Sequence, residues 1–156
     1  STGFEDLLAY ADEVETEHGK AIDDPRVRSR LANYAIKASG LQYSSFRSIS
    51  ALSRGEQPGP ENSIGKLVAG SMLQDVARFA LDLQGEYGLI LDAELSPDNA
   101  RFQRMLMRSP ATRIEGGSDE ILRNIIAERV LGLPADIRMD KDVPFDQIPT
   151  SANKAA

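Results

Sequence analysis

Residues 113–121, reading Arg-Ile-Glu-Gly-Gly-Ser-Asp-Glu-Ile, hold the densest concentration of groups that could do chemistry. Two adjacent glycines, Gly116 and Gly117, allow the backbone to approach a ligand closely. The apolar-periodic segment after Ser118 predicts a helix whose free N–H groups and positive dipole end face that turn. Such a turn can bind a polar cofactor. It can equally serve only to let one helix follow another, and spacing does not choose between the two. Glu115, beside this backbone, is the candidate general base, because a carboxylate there would be desolvated when a substrate enters. Glu120 either accepts a hydrogen bond from a ligand hydroxyl or favours the helix N-terminus. With 24 acidic residues in the chain, composition singles out neither.

Other chemistries have little to work with. The chain has no cysteine, so there is no disulfide framework, thiol nucleophile or thiolate metal site. The single histidine, His18, has no local Ser or metal-site partner and reads as a helix-end residue; no metal site is expected. A net charge of -6 without a dense Lys/Arg stripe argues against nucleic acid as a partner. No apolar run approaches the roughly 18 residues of a membrane-spanning helix, and the start lacks a basic segment followed by an apolar one. The expectation is a cytoplasmic chain of one domain. It opens at Ser1, without an initiator Met, directly into a helical pattern, as a chain cut at a domain boundary would.

The elements that must position the turn are helices. Phe4, Leu7, Leu8, Ala11 and Val14 recur at helical spacing, and Thr2 with Glu5 has the form of a capping box, predicting a helix to about Gly19. Asp24 as cap and Pro25 at the first helical position open a second helix. Its apolar positions are Val27, Leu31, Tyr34, Ala38, Leu41, Phe46, Ile49 and Leu52, and Gly55 ends it. A helix of about 30 residues spans roughly 45 Å, a length suited to a bundle. A third of similar length starts near Pro60 and carries Ile64, Leu67, Val68, Met72, Val76, Phe79, Ala80 and Leu83 until Gly85 and Gly88. A shorter helix is predicted from about Asn99 to Met107, with the Ser109-Pro110 step opposing its continuation. The last is capped by Ser118 and turns Ile121, Leu122, Ile125, Ile126, Val130 and Leu131 inward until Gly132 and Pro134 stop it.

Nothing alternates convincingly like a strand, and no repeat is present. The reading is all-α: an antiparallel, up-and-down four-helix bundle over residues 1–134, followed by an extended tail, 135–156, on the surface or partly disordered.

The run from Ile114 to Pro134, IEGGSDEILRNIIAERVLGLP, closely resembles the C-terminal signature of acyl-CoA dehydrogenases. Weaker agreement covers Ser63-Ile64-Gly65-Lys66-Leu67-Val68 and Gly85-Glu86-Tyr87-Gly88, and Asp140-Lys141-Asp142-Val143-Pro144-Phe145 resembles the ending of bacterial members. The resemblance implies a helical C-terminal domain that, in complete enzymes, follows a helical N-terminal and a β-rich middle domain. It implies FAD as cofactor and an acyl-CoA substrate, from which a base removes the α proton while hydride passes from the β carbon to FAD, giving a 2,3-enoyl-CoA. An electron acceptor and a homo- or hetero-oligomer are the implied partners.

Carried over residue by residue, Gly117, Ser118 and Glu120 match the family's Gly-Thr-x-Glu/Gln pattern, which approaches FAD. In one branch the catalytic glutamate directly precedes that pattern's glycine; here Gly116 stands there and Glu115 falls one place early. Other branches carry the base on a helix upstream of this domain. Two more positions depart from the family. Glu15-Thr16-Glu17-His18-Gly19 stands for Arg-x-x-Phe-Gly, and Asp82 stands where the family has Gln before its glycine loop. Acids at these places suit a subunit that keeps only part of the catalytic equipment. A catalytically degenerate subunit, or a helical interaction module supporting a partner, is therefore the alternative to an active enzyme domain.

Overall fold

The computed structural model describes residues 2–17, 19–135, 140 and 142–148. Five α-helices lie among them: α1 (Phe4–Glu13), α2 (Pro25–Ser53), α3 (Asn62–Gln84), α4 (Arg101–Thr112) and α5 (Asp119–Ile125), the last running on as a π turn over Ile126–Val130. Strand is confined to two paired residues on each side of a tight hairpin, β1 (Glu15–Thr16) and β2 (Gly19–Lys20). The fold is helical, as the periodicity predicts.

The direction of packing can be read from contacts between side chains. Ser48 donates to Asn62 near one end of the α2/α3 pair, while the Tyr34 and Phe79 rings meet near the other, so the two helices run antiparallel. Lys66 reaches Thr112 and Gln103 donates to Gln84, which sets α4 antiparallel to α3. One apolar cluster draws on α1 to α4: Leu7 and Ala11, then Val27, Leu31 and Tyr34, then Met72, Val76 and Ala80, then Phe102. Tyr10 closes it edge-on against Phe102, ring centroids 5.3 Å apart. Burying each large side chain of this set stabilises the fold by about 1.5–3 kcal/mol. On α5 only Leu122 is a buried apolar residue, and that helix packs against α3.

Several sequence expectations are corrected. The Thr2/Glu5 capping box does not form; Gly3 is the cap, with φ of 73°. A side chain at position 3 would meet Met105 Sδ at 2.7 Å, so the close approach of α4 fixes a glycine there. The first helix stops at Glu13 instead of near Gly19 because Val14 turns extended and Thr16 and Gly19 close the hairpin, Thr16 Oγ1 donating to Gly19 O at 2.8 Å. β-branched Val14 and Thr16 favour that exit. His18 lies outside the described residues.

The fourth helix runs through Pro110 to Thr112 instead of ending at Met107. Proline cannot donate to the carbonyl four residues back, Leu106 O, and Ser109 Oγ donates to that oxygen at 2.8 Å in its place. The apolar positions of the long second helix are not all inward: Phe46, Ile49 and Leu52 are exposed, because α2 continues beyond the cluster. On the last helix Ile121, Val130 and Leu131 are likewise exposed, since one helix resting on α3 covers only one side. Most of the expected tail, including 136–139 and 149–156, falls outside the described residues; Phe145–Gln147 form a short 3-10 turn.

Candidate functional site

Gly116 and Gly117 both take positive φ, 64° and 107°, which a side chain would strain, so this turn needs its two glycines. It ends at Ser118, whose extended backbone caps α5 and whose Oγ accepts from Ile121 N–H at 3.5 Å, the role expected of it. The two ends of the loop are latched to each other. Asp119 N–H donates to Arg113 O at 3.1 Å. The Arg113 guanidinium grips the buried Asp119 carboxylate, Nε at 2.7 Å and Nη2 at 2.5 Å.

Helix α3 carries the loop on one face. Lys66, Gly70 and Gln74 succeed one another at four-residue steps and therefore share that face. Lys66 Nζ donates to Gly117 O at 2.6 Å and Thr112 O at 3.4 Å. A Cβ at Gly70 would lie 3.4 Å from Arg113 Cγ, so its absence lets the loop sit close. Gln74 Oε1 accepts from Arg113 Nη1 at 2.8 Å. Sequence reasoning missed this support; the signal was opposite charge at Arg113 and Asp119 flanking the glycines, and the small residue between Lys66 and Gln74.

The two candidate carboxylates differ in partners. Glu115 is exposed and forms a bidentate pair with Arg108, Nη2 lying 2.9 and 2.7 Å from its two oxygens. It points to α4 and is not held with Gly117, Ser118 and Glu120. Glu120 is exposed on the first turn of α5, and its carboxyl is held below the usual glutamate range by its own backbone N–H first and by the Ser118 hydroxyl second. The structure thus brings Gly117, Ser118 and Glu120 together at one end of α5, and Glu120 offers an ionised acceptor there.

The departing acids occupy separate places. Glu15 is exposed on the hairpin. Asp82 borders an open cleft of about 480 Å³ with Arg78, Leu81, Gly85, Gly88, Leu89 and Leu106. Asp82 is not isolated: Arg30 is held above its usual value mainly by the Tyr34 hydroxyl, with Asp75 and Asp82 adding to it. Gln84, next in sequence to Gly85, belongs to a buried network in which Gln103 Nε2 donates to Gln84 Oε1 and Ser96 Oγ, each at 2.8 Å.

The chain is thus a helical domain whose glycine turn is latched by an arginine–aspartate pair and seated on α3, and its sequence and fold match those of known proteins. Residues 1–131 match the family described as acyl-CoA dehydrogenase, C-terminal domain. The chain is 39% identical over 118 residues to acyl-CoA dehydrogenase IpdE1 of Mycolicibacterium smegmatis, covering 76% of this chain and 28% of that protein. The Mycobacterium tuberculosis protein of the same name is 36% identical, over 76% of this chain and 29% of its own length. Among solved structures, the ChsE4-ChsE5 complex from Mycobacterium tuberculosis superposes with a TM-score of 0.73 at 23% identity, over 85% of this chain and 35% of the matched one. Butyryl-CoA dehydrogenase from Megasphaera elsdenii gives 0.67 at 17% identity, over 83% and 32%. The chain belongs to the acyl-CoA dehydrogenase family, an oxidoreductase family, and carries its C-terminal domain. It spans under a third of the length of the curated relatives it matches. No helix among the described residues is long and apolar enough to cross a membrane.

The turn is open to a ligand on its own geometry. Gly116 and Gly117 leave its outer surface bare of side chains, with only Lys66 Cε at 3.7 Å and Leu122 Cδ2 at 3.8 Å of the places their Cβ atoms would take. The Ser118 N–H has no acceptor among the described residues, and Glu120 adds a carboxylate that a hydroxyl can donate to.

Proposed function

We propose that this chain is the C-terminal domain of a flavin-dependent acyl-CoA dehydrogenase that oxidises acyl-CoA to 2,3-enoyl-CoA, supplying part of the FAD pocket and of the oligomer interface. The observation that carries the reading is the bare turn at Gly116 and Gly117, held rigid against α3 with an unused amide at Ser118. FAD, when bound, supplies the acceptor for the substrate's β hydride. The chain's own residues bind and orient: Gly117 gives close approach, the Ser118 amide donates, and the Glu120 carboxylate accepts. Residues 1–134 are the domain in this reading and 135–156 its tail; the family match ends at residue 131, and Gly132 leaves the last turn with φ of 68°.

The assembly part of the proposal draws on α2, where Tyr43, Phe46, Ile49 and Leu52 lie exposed beyond the core. Hetero-oligomers are a natural form for such a domain, and the neighbouring ChsE4-ChsE5 structure is of a complex.

One observation favours a second reading, a catalytically degenerate subunit that supports a partner's site. Gly116 stands where one branch has its base, and Glu115 is occupied by Arg108. Both readings are tested on the full-length protein that contains this domain. Co-purifying FAD bleached by an acyl-CoA, in a species heavier than a monomer by sedimentation, is the expected result. Bound FAD that no acyl-CoA reduces would favour the degenerate subunit, and absence of FAD from every purified assembly would sink the first reading. Glu115→Gln is expected to leave turnover within about threefold, because a carboxylate locked in an exposed ion pair is a poor base.

A further inference from the structure

We propose that Lys66 is the positioning residue of the flavin-facing turn, an inference that rests on the reading of that turn given above. Its ammonium donates to Gly117 O at 2.6 Å from a half-buried place on α3. In a trans peptide the carbonyl and the next N–H point to opposite sides. Holding Gly117 O against α3 therefore turns the Ser118 N–H away from α3, to the side where it has no acceptor among the described residues. Without that hold, the peptide joining Gly117 to Ser118 turns more easily about Gly117 ψ, which no side chain restrains, with Ser118 φ following.

The same ammonium reaches Thr112 O at 3.4 Å, one of the last carbonyls of α4, where a cation is favoured by the helix dipole. One side chain thus fixes both the end of the preceding helix and the middle of the turn. No carboxylate among the described residues lies within 4.0 Å of Lys66 Nζ, so its charge is directed at carbonyls alone and adds a positive field behind the exposed amide. Such a field favours an electron-rich atom of a cofactor in front of it. Arg113 could not substitute, because its guanidinium is already committed to Asp119 and Gln74.

The test uses the full-length protein and its affinity for FAD, measured by quenching of flavin fluorescence on the deflavinated form, together with the visible flavin spectrum. Lys66→Met is expected to weaken FAD by about tenfold or more, the loss that goes with one charge-assisted hydrogen bond and its orientation. Ser109→Ala, which weakens α4 away from the turn, serves as the control for a merely structural effect and is expected to keep wild-type affinity. If Lys66→Met does not fold, Lys66→Gln, which retains a neutral donor, takes its place with the same expectation. Equal affinity in wild type and the Lys66 variant, or equal losses in the Lys66 and Ser109 variants, overturns the positioning role while leaving the flavin contact intact. A wild-type protein that holds no FAD at all overturns the reading of the turn, and the role of Lys66 with it.

Discussion

At the scale of single residues, the turn shows how a side chain can be charged to order. Glu120 keeps its carboxyl below the ordinary range through its own amide and the Ser118 hydroxyl, and the sequence already placed both groups together. What the sequence did not disclose was the fate of Glu115, whose pairing with Arg108 depends on α4 continuing past Pro110 to bring residue 108 beside residue 115. The lowered Glu120 value means its interactions stabilise the folded chain above the unfolded pKa and are lost as pH falls through the folded one. Titration followed by NMR should therefore place the Glu120 midpoint below that of an ordinary glutamate. Ser118→Ala should move it upward, by less than the full depression, because the larger contribution, from its own amide, remains. A midpoint unchanged by the substitution would show that the hydroxyl contributes nothing.

At the scale of elements, what was legible was what is local. Asp24 accepts from Arg26 N–H at 2.7 Å with Pro25 at the first helical position, and Ser118 caps α5, both as their residue types dictate. The glycine cap of α1 depends on Met105, far along the chain, and the strands of the hairpin at residues 15–20 are two residues each, too short to show an alternation, so periodicity could show neither. The run of α4 through Pro110 is intermediate: proline's penalty is visible in the sequence, but its repair by the preceding serine depends on a side-chain rotamer that spacing does not give. That repair makes a specific prediction. Ser109 is fully buried, and Ser109→Ala removes the donor that satisfies Leu106 O, costing about 1 kcal/mol in urea unfolding. In a Pro110→Ala background the same change should cost less, since residue 110 then brings its own N–H to that carbonyl. Equal costs in the two backgrounds would show that Ser109 does not stand in for the missing amide.

At the scale of the whole molecule, the chain is a helical domain with its glycine turn on an open side. The exposed apolar residues Ile114 and Ile121 border that turn, and Tyr43, Phe46, Ile49 and Leu52 lie along α2, surfaces that the apolar pattern of the sequence had assigned in part to the interior. Pattern alone cannot separate a face buried in its own core from one that other domains cover, because both are apolar at helical spacing. This bears on what the domain can do alone, and we predict that the isolated chain neither binds FAD at micromolar concentrations nor oxidises acyl-CoA. The opening beside Asp119 and Glu120 is about 230 Å³, below the roughly 300–1,000 Å³ of pockets that enclose drug-sized ligands. Association costs about 4 kcal/mol or more in lost translational and rotational freedom, while the turn offers a few free amides, one carboxylate and little area to bury a flavin ring. An exposed acid at Glu120 further disfavours any phosphate that comes near without a cation to offset it. The measurement is titration of FAD into the purified 156-residue chain, by flavin fluorescence and calorimetry, followed by an acyl-CoA assay with an artificial electron acceptor. Stoichiometric micromolar binding, or turnover lost in Glu115→Gln, would show instead that the turn and its α3 support form a site complete in themselves.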